Sequence, residues 1–353
     1  MSKIISIGTA DAKFKVSQSN VKQFVYQLFS NCKLEVDRLI NVFDNSSIEN
    51  RHFSVPFEWF SKEHSFSERN ELFINNAICY SQEAIEECLQ KSGIPAESID
   101  HIFFITTTGL ATPSIDSILF NKFKFKSHIK RTPVWGLGCA GGAVGLSRAM
   151  DYTKAYPDKI ALVVAIELCS LTFQKDDLSK SNLIATSLFS DGAAAALVIG
   201  ENVPNENRGV HLIDSFSTTF PDSLDVMGWE IIDNGFQVLF SKDIPSIVEN
   251  LVKPNVMEFL KPHGISLKDI KYFIAHPGGY KVINAFEKSL SLPSESFVYS
   301  KTILREHGNM SSPSVLYVLN EFLEEQSYKP REYGVISALG PGFSSELLLF
   351  RTP

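Results

Sequence analysis

The chain has 353 residues, of which 44% are hydrophobic and 21% are charged, as is typical of a folded globular protein. Its 33 Lys and Arg residues and 40 Asp and Glu residues give a formal net charge of -7. This charge argues against nucleic acid as the main partner, because phosphate binding requires a basic face. No apolar run reaches the roughly 18 residues of a membrane span, and the first residues lack the long apolar region of a secretory leader. We therefore expect a cytoplasmic protein without integral membrane association.

Short β-branched and aromatic runs alternate along the chain with longer amphipathic segments, which is typical of an α/β protein. The predicted strands are Ile4–Ile7, Ile102–Thr106, Pro133–Trp135, Ile160–Ile166, Ala193–Ile199, Tyr272–Ala275 and Gly334–Ala338. The predicted helices are Glu68–Lys91, Val144–Tyr156, Ile244–Leu260 and Pro313–Glu325. Pro157 ends the second helix because proline lacks an N–H and its ring clashes with the preceding turn.

Two stretches of the chain are similar to each other, CLQKSGIPAESIDHIFFITTTG from residue 88 and FLKPHGISLKDIKYFIAHPGGY from residue 259. Later in each half, Gly138–Cys139 matches Gly308–Asn309. This pattern predicts two duplicated α/β halves, 1–205 and 206–353, related by a pseudo-twofold axis and joined at the polar segment 201–209. Such an axis would bring the equivalent turns of the two halves together, although they are far apart in the chain.

Cys139 is the only one of the five cysteines with a setting that suggests chemistry. The odd count and the absence of a Cys-x-x-Cys pair fit neither a disulfide framework nor a zinc cage, so we predict no metal. In VWGLGCAGGAVGLSRAMDY, a strand runs into a glycine-rich turn and then a helix. A helix N-terminus lowers a thiol pKa and favours the nucleophilic thiolate. The alternative is a buried structural cysteine, which would not need the glycines.

Two further residues are candidate partners of this cysteine. His276 ends a predicted strand in YFIAHPGGY, at the edge where α/β sheets place their sites. Asn309 lies in REHGNMSSPSVLYVL, where a helix N-cap is the alternative interpretation. His307 is a competing imidazole in the same segment.

Taken together, these motifs resemble the type III polyketide synthases, which are chalcone-synthase-like enzymes of the thiolase superfamily. The resemblance extends from SIGTA at 6–10 to ELLLF at 346–350 and includes GCAGG, LFSDGAAA, IAHPGG, GNMSS and GPG. It implies a thiolase-like fold of five αβαβα layers and a homodimer that uses acyl-CoA and malonyl-CoA as substrates, without any cofactor.

The resemblance also implies roles for individual residues. Cys139 would carry the acyl group, and His276 and Asn309 would activate it and form the decarboxylation and oxyanion site. Phe189 would be a gatekeeper between the CoA tunnel and the cavity, and Arg51 would contact CoA phosphate near the tunnel mouth. The remaining substrate-binding candidates are Thr107, Thr172, Ser311, Val238, Gly340, Pro341 and Gly342.

The chain departs from the plant pattern at several positions. Val238 stands where plant enzymes have a second gatekeeper phenylalanine, and Thr112 stands where they have a methionine that crosses the dimer interface. Valine would open space for an alkyl chain unless a neighbour such as Phe240 or Phe236 fills it. We therefore expect a fatty acyl-CoA starter, extended with malonyl-CoA and cyclised to an alkylpyrone or alkylresorcinol.

Three other functions remain open from the sequence. An initiating 3-ketoacyl-ACP synthase of fatty acid synthesis shares Cys, His and Asn but needs a basic face for its carrier protein. NKFKFKSHIKR, at residues 121–131, is the only basic cluster, and a solvated surface is its alternative interpretation. A Cys-His-Asn hydrolase would release free acid, and a noncatalytic binding protein would not need the three residues.

Overall fold

The computed structural model describes residues 1–29, 40–205, 209–241 and 244–353. Cys32 and part of the predicted linker at 201–209 lie outside the described residues. The strands are β1 Lys3–Asp11, β2 Phe14–Ser17, β3 Asn50–Phe53, β4 His101–Thr106, β5 Lys130–Trp135, β6 Ile160–Leu168, β7 Asp191–Ile199, β8 Val210–Thr219, β9 Met227–Ile232, β10 Gly235–Phe240, β11 Ile270–Ala275, β12 Tyr333–Gly340 and β13 Ser344–Arg351. The helices are α1 Gln18–Leu28, α2 Asn41–Asp44, α3 Phe57–Phe60, α4 Phe66–Ser92, α5 Ile115–Phe120, α6 Gly141–Ala155, α7 Lys180–Leu188, α8 Ile244–Leu260, α9 Tyr280–Leu290, α10 Val298–His307 and α11 Ser314–Glu325.

Every predicted strand and helix is present, with ends that differ by a few residues. The longest helix, α4, begins at a capping box in which Ser65 and Glu68 exchange hydrogen bonds, and it ends at Gly93 in the left-handed conformation. Helix α6 ends at Ala155, before Pro157, as predicted. Strands β2, β3, β8, β9, β10 and β13 were not predicted from the sequence.

Among the described residues, nine strands form one sheet in the order β11-β12-β13-β8-β1-β7-β6-β4-β5. The sheet consists of two halves, because β1 and β8 pair only at Lys3 with His211 and at Ile4 with Val210. Each half contains parallel pairs, β4 with β5 and β6 in the first and β11 with β12 in the second. Active-site turns therefore follow the carboxyl ends of β4, β5 and β11.

Helices cover both outer faces of the two half-sheets and fill the space between them. The central apolar cluster includes Leu146 of α6 and Val315 of α11, together with inward-facing residues of both half-sheets. Phe73 of α4 belongs to the cluster on the outer face of the first half-sheet, and Phe286 of α9 belongs to that of the second. This gives the five αβαβα layers that the resemblance implied.

The internal repeat is visible in the backbone. Gly93 and Gly264 both adopt left-handed conformations, with φ of 70° and 65°. Each is followed by a 3-10 turn, Ala96–Ser98 or Leu267–Asp269, and then by a strand, β4 or β11. The division of the chain between residues 205 and 206 stays a prediction.

The two halves approach each other closely at the start of α6. A Cβ atom on Gly142 would lie 2.2 Å from the backbone oxygen of Ser312 and 2.9 Å from Cγ1 of Val315. No side chain fits there, so glycine is required by the packing of one half against the other.

We expect Gly142→Ala to lower the free energy of unfolding by about 1–3 kcal/mol, because the methyl group must displace the backbone of Ser312. Gly228→Ala is the control, since a Cβ atom at Gly228 meets nothing within 4 Å. Urea unfolding of both variants measures the difference. Equal stabilities for the two variants would contradict the proposed close packing.

Candidate active site

Cys139 lies in a 3-10 turn, Gly138–Ala140, between β5 and α6. Gly138 has a φ of 45°, and its amide donates a hydrogen bond to Thr107 Oγ1 at 3.0 Å. A Cβ atom on Gly138 would lie 2.8 Å from Cδ of Pro341. The predicted cavity residue Thr107 therefore holds the backbone beside the cysteine.

The GPG segment also supports this turn. A Cβ atom on Gly340 would lie 2.6 Å from the backbone oxygen of Leu137 and 2.6 Å from the Cβ atom of Ala140. Gly342 adopts a φ of 122°, which favours glycine. Gly340 and Pro341 thus pack against the cysteine turn, and contact of the GPG segment with substrate stays a prediction.

Burial raises the pKa of the Cys139 thiol to about 11, and the Ser311 hydroxyl and the Asn309 amide lower it again by stabilising the thiolate. The sulfur lies 3.5 Å from Ser311 Oγ. The expected lowering of the pKa by the helix start is wrong for the thiol by itself, because removing the thiolate from water costs more than the helix terminus supplies. Cys139 consequently needs a base nearby to become a nucleophile at neutral pH.

His276 follows β11 and is 5% exposed. Its backbone N–H donates to Ser337 O at 2.8 Å, while neither ring nitrogen has a hydrogen-bond partner. Burial lowers the pKa of the imidazole to about 3, so the ring is neutral and can accept a proton. A buried polar group without a partner costs about 1–3 kcal/mol, which indicates a position built to meet a ligand.

Asn309 is 2% exposed and fixed on several sides. Its Nδ2 donates to Gly278 O at 3.2 Å and its Oδ1 accepts from Ser311 N at 2.8 Å. A Cβ atom on Gly278 would lie 3.7 Å from Nε2 of His276, so Asn309 and His276 are neighbours through Gly278. Asn309 is not a helix N-cap, since α11 begins at Ser314 after Pro313.

His307 does not join this group. Its Nδ1 lies 3.0 Å from Oδ1 of Asp11. The structure therefore gathers Cys139, Asn309 and His276 around Ser311 and Gly278 and excludes the competing imidazole.

Glu167 was missed by the sequence analysis and lies beneath the site. Its Oε2 accepts hydrogen bonds from the backbone of Thr107 and from the backbone and hydroxyl of Thr108, and its Oε1 accepts from Ser312 Oγ at 2.9 Å. Burial raises the pKa of this carboxyl to about 7. A single acidic residue inside the apolar run ALVVAIELC was the available signal, because unpaired charge is rare in a buried strand.

Phe189 directly follows the last residue of α7, and its neighbours in the chain connect it to Asn309. Its backbone neighbours pair with the asparagine: Asn309 N donates to Leu188 O at 2.9 Å, and Ser190 N donates to Asn309 O at 2.9 Å. The Phe189 ring lies 5.7 Å from that of Trp229 and 5.6 Å from that of Phe240.

Val238 lines an apolar channel, so space is present beside it as expected. Val238 is 6% exposed and packs with Phe189, Cys169 and Ala185. Trp229, which pairs with Val238 across the β9–β10 hairpin, and Phe240 pack against the same cluster. The sequence could not show this because the hairpin itself was not predicted.

This apolar channel, lined by Phe189 and Val238, leaves about 50 Å³ that the centre of a water molecule can reach. Aromatic rings contributed by several elements surround it, namely Phe24, Phe53, Phe57, Phe60, Phe173 and Trp229. Thr172 lines the channel, and its hydroxyl donates to Cys169 O at 2.7 Å. The predicted cavity residue Thr172 thus belongs to this channel.

Arg51 is buried and lines the same channel. The side chain is 1% exposed, and its guanidinium donates to the backbone oxygens of Thr186 and Phe189. Burial lowers its pKa to about 9. The guanidinium thus fixes the end of α7 and the backbone of Phe189, and its contact with CoA phosphate stays a prediction.

Comparison with known proteins agrees with this geometry. The family model for the N-terminal domain of chalcone and stilbene synthases matches residues 1–202, and the model for their C-terminal domain matches residues 211–353. A putative chalcone synthase of Bacillus subtilis is 47% identical, covering 99% of this chain and 98% of the relative. A 1,3,6,8-tetrahydroxynaphthalene synthase of Streptomyces peucetius is 33% identical, covering 99% and 92%.

Among solved structures, 1,3,6,8-tetrahydroxynaphthalene synthase from Streptomyces coelicolor, a bacterial type III polyketide synthase, superposes with a TM-score of 0.94 at 27% identity, covering 99% of both chains. Fold and site together define a condensing acyltransferase with a thiolase-like fold. The chain belongs to the chalcone and stilbene synthase family, the type III polyketide synthases, which catalyse decarboxylative condensation. The ketoacyl synthase alternative is not favoured.

We expect Cys139→Ala to abolish covalent loading from an acyl-CoA while leaving the fold intact, because alanine fits among the glycines. Cys79→Ala is the control, since Cys79 is exposed and remote from the site. Intact-protein mass spectrometry checks this, and acyl mass on another cysteine would refute the assignment.

Proposed function

We propose that this polyketide synthase loads a medium- or long-chain fatty acyl-CoA on Cys139 and extends it with malonyl-CoA. The product is then cyclised to an alkylpyrone or alkylresorcinol. The observation that carries the chemistry is the buried, neutral His276, whose two ring nitrogens have no partner in the described protein.

Loading begins when the Cys139 thiol gives its proton to His276, because the thiolate and the imidazolium that form stabilise each other in the buried site. The sulfur attacks the thioester carbonyl of the starter, and the bond to the CoA sulfur breaks. The proton leaves with the CoA thiol. His276 is neutral again, and the starter is held as a thioester on Cys139.

Decarboxylation then uses the same imidazole as a hydrogen-bond donor. The electrons of the breaking C–C bond of malonyl-CoA move onto its thioester oxygen as CO2 leaves. We place that oxygen between His276 Nε2–H and the Asn309 amide, two fixed donors in a buried site, where each donor supplies about 3 kcal/mol. The enolate carbon attacks the Cys139 thioester and releases the sulfur for another cycle.

The starter proposal rests on the aromatic channel beside Phe189 and Cys169. Alkyl chains gain about 0.8 kcal/mol per CH2 group buried in an apolar environment. The lining residues Val21 and Val25 of α1 are buried aliphatic side chains at this channel. An alkyl starter that passes Phe189 would occupy it, and Val238 is one of the residues that line it.

The basic segment at 121–131 gives no support to a carrier-protein docking face. Lys126 pairs with Asp100 at 2.6 Å, and Arg131 pairs with the buried Asp116 at 3.0 Å. The Lys130 ammonium lies over the rings of two tyrosines, Tyr152 and Tyr156. These cations hold their own part of the fold together.

We also propose a cytoplasmic homodimer that needs only CoA thioesters and no cofactor for the reaction. Two apolar side chains at the end of β5 and after β4, Trp135 and Leu110, are 48% and 39% exposed, as expected of residues that a second subunit covers. No helix in the described ranges combines the length and the apolar composition that a membrane span requires.

Replacing each partner of Cys139 separates the two steps. We expect His276→Ala to lose both acyl loading and malonyl-CoA decarboxylation, because the base and an oxyanion donor disappear together. We expect Asn309→Ala to slow decarboxylation by about 100-fold or more while loading persists. Acyl-enzyme mass and CO2 release are measured separately, and equal loss of loading in both variants would contradict this division.

Filling the channel tests the starter. We expect Val25→Phe to lower kcat/KM for dodecanoyl-CoA at least tenfold more than for hexanoyl-CoA, because the ring occupies space that only the longer chain uses. Val16→Phe, partly buried on β2 away from the channel lining, is the control and should leave the ratio unchanged. A wild-type preference for acetyl-CoA or coumaroyl-CoA would overturn the starter proposal and leave the roles of Cys139, His276 and Asn309 intact.

A further inference from the structure

Three metal-ligating side chains converge at a place that the condensation chemistry does not use. Asp11 ends β1, His52 lies in β3, and His307 ends α10. One ligand atom from each lies within 4.8 Å of the others. Elements far apart in the chain therefore present a carboxylate oxygen and two imidazole nitrogens to one point.

The separations fit a tetrahedral zinc ion. Zinc binds histidine nitrogen and carboxylate oxygen at about 2.0–2.2 Å, which places neighbouring ligand atoms about 3.3 Å apart. His307 Nδ1 lies 3.0 Å from Asp11 Oδ1, and His52 Nε2 lies 3.7 Å from Asp11 Oδ2. The two distances end on different oxygens of the Asp11 carboxylate, so an ion between the two imidazoles would be bound by one or both of these oxygens.

No hydrogen bond between His52 and Asp11 explains why the His52 imidazole lies beside the carboxylate. The 3.7 Å separation of His52 Nε2 from the carboxylate is too long for a hydrogen bond, so the nitrogen that faces the carboxylate is not hydrogen-bonded to it. The imidazole is nevertheless held 5.2 Å, centre to centre, from the ring of His307. Bringing two imidazoles together beside one carboxylate is the arrangement a zinc ion uses.

The surroundings suit a resident ion as well. The Tyr317 hydroxyl donates to Asp11 Oδ1 at 3.2 Å, which orients the carboxylate as outer-shell partners of metal ligands do. Asp11 has 43% of its side chain exposed and His307 has 20%. An ion can therefore enter from solvent, and a water molecule can complete the coordination.

We propose that Asp11, His52 and His307 form a zinc site that fixes the position of Asn309. His307 is followed directly by Gly308–Asn309. The backbone N–H of His52 donates to Ser190 Oγ at 2.8 Å, and Ser190 N donates to Asn309 O at 2.9 Å. The ion thus joins the two segments that hold the asparagine, and it takes no part in the bond-making steps.

The test uses full-length protein stripped with a chelator and alkylated at its accessible thiols, so that cysteine cannot bind metal. Calorimetric titration with Zn²⁺ should give one ion per chain. Co²⁺ should give the intense visible bands of tetrahedral coordination without a sulfur-to-metal charge-transfer band. Zn²⁺ should also raise the melting temperature, because it binds the folded state alone.

Asp11→Asn and His307→Gln should each weaken Zn²⁺ binding at least tenfold and remove the increase in melting temperature. Asp11→Asn keeps the shape of an exposed side chain, so its circular dichroism spectrum should match that of the wild type and exclude misfolding as the cause. His263→Ala is the matched control, because His263 pairs with Asp214 at 3.2 Å outside the three-residue cluster. The proposal is overturned if wild-type protein binds no Zn²⁺, or if His263→Ala weakens binding as much as His307→Gln.

Discussion

The close contact between the first turn of α6 and Ser312 sets the geometry of the active site. A Cβ atom on Gly141 would lie 3.1 Å from Cβ of Ser312, and Gly142 leaves no room for any side chain. Because the two glycines allow this approach, the turn that carries Cys139 meets the segment that carries Asn309. Apolar packing of α6 against α11 between the half-sheets then stabilises the contact.

The buried polar groups around this contact mainly hold backbone segments in position. Glu167 binds the end of β4 to Ser312, and Asp191 accepts hydrogen bonds from Ser54 N and Ser170 N, both at 2.7 Å. Burial raises the pKa of both carboxyls. A carboxyl in a dry interior is stable only when donors surround it, so each one fixes several backbone segments relative to one another.

The gate is joined to the same framework. The Arg51 guanidinium holds the backbone of Phe189, and the residues on either side of Phe189 pair with the backbone of Asn309. The backbone of Phe189 and that of Asn309 therefore belong to one hydrogen-bonded framework. This framework gives a physical reason for the burial of Arg51, which was expected at the surface and whose Nε and Nη2 have no hydrogen-bond partner.

Local patterns in the chain were sufficient for the α/β class and for selecting Cys139, His276 and Asn309 as candidate site residues, because glycine-rich turns and strand ends leave signatures within a few positions. They did not reveal the burial of Arg51, the packing of Trp229 and Phe240 beside Val238, or the raised pKa of Cys139. Each of these depends on desolvation and on neighbours from distant segments. A sequence shows which groups are charged or small, but only packing decides which of them lose contact with water.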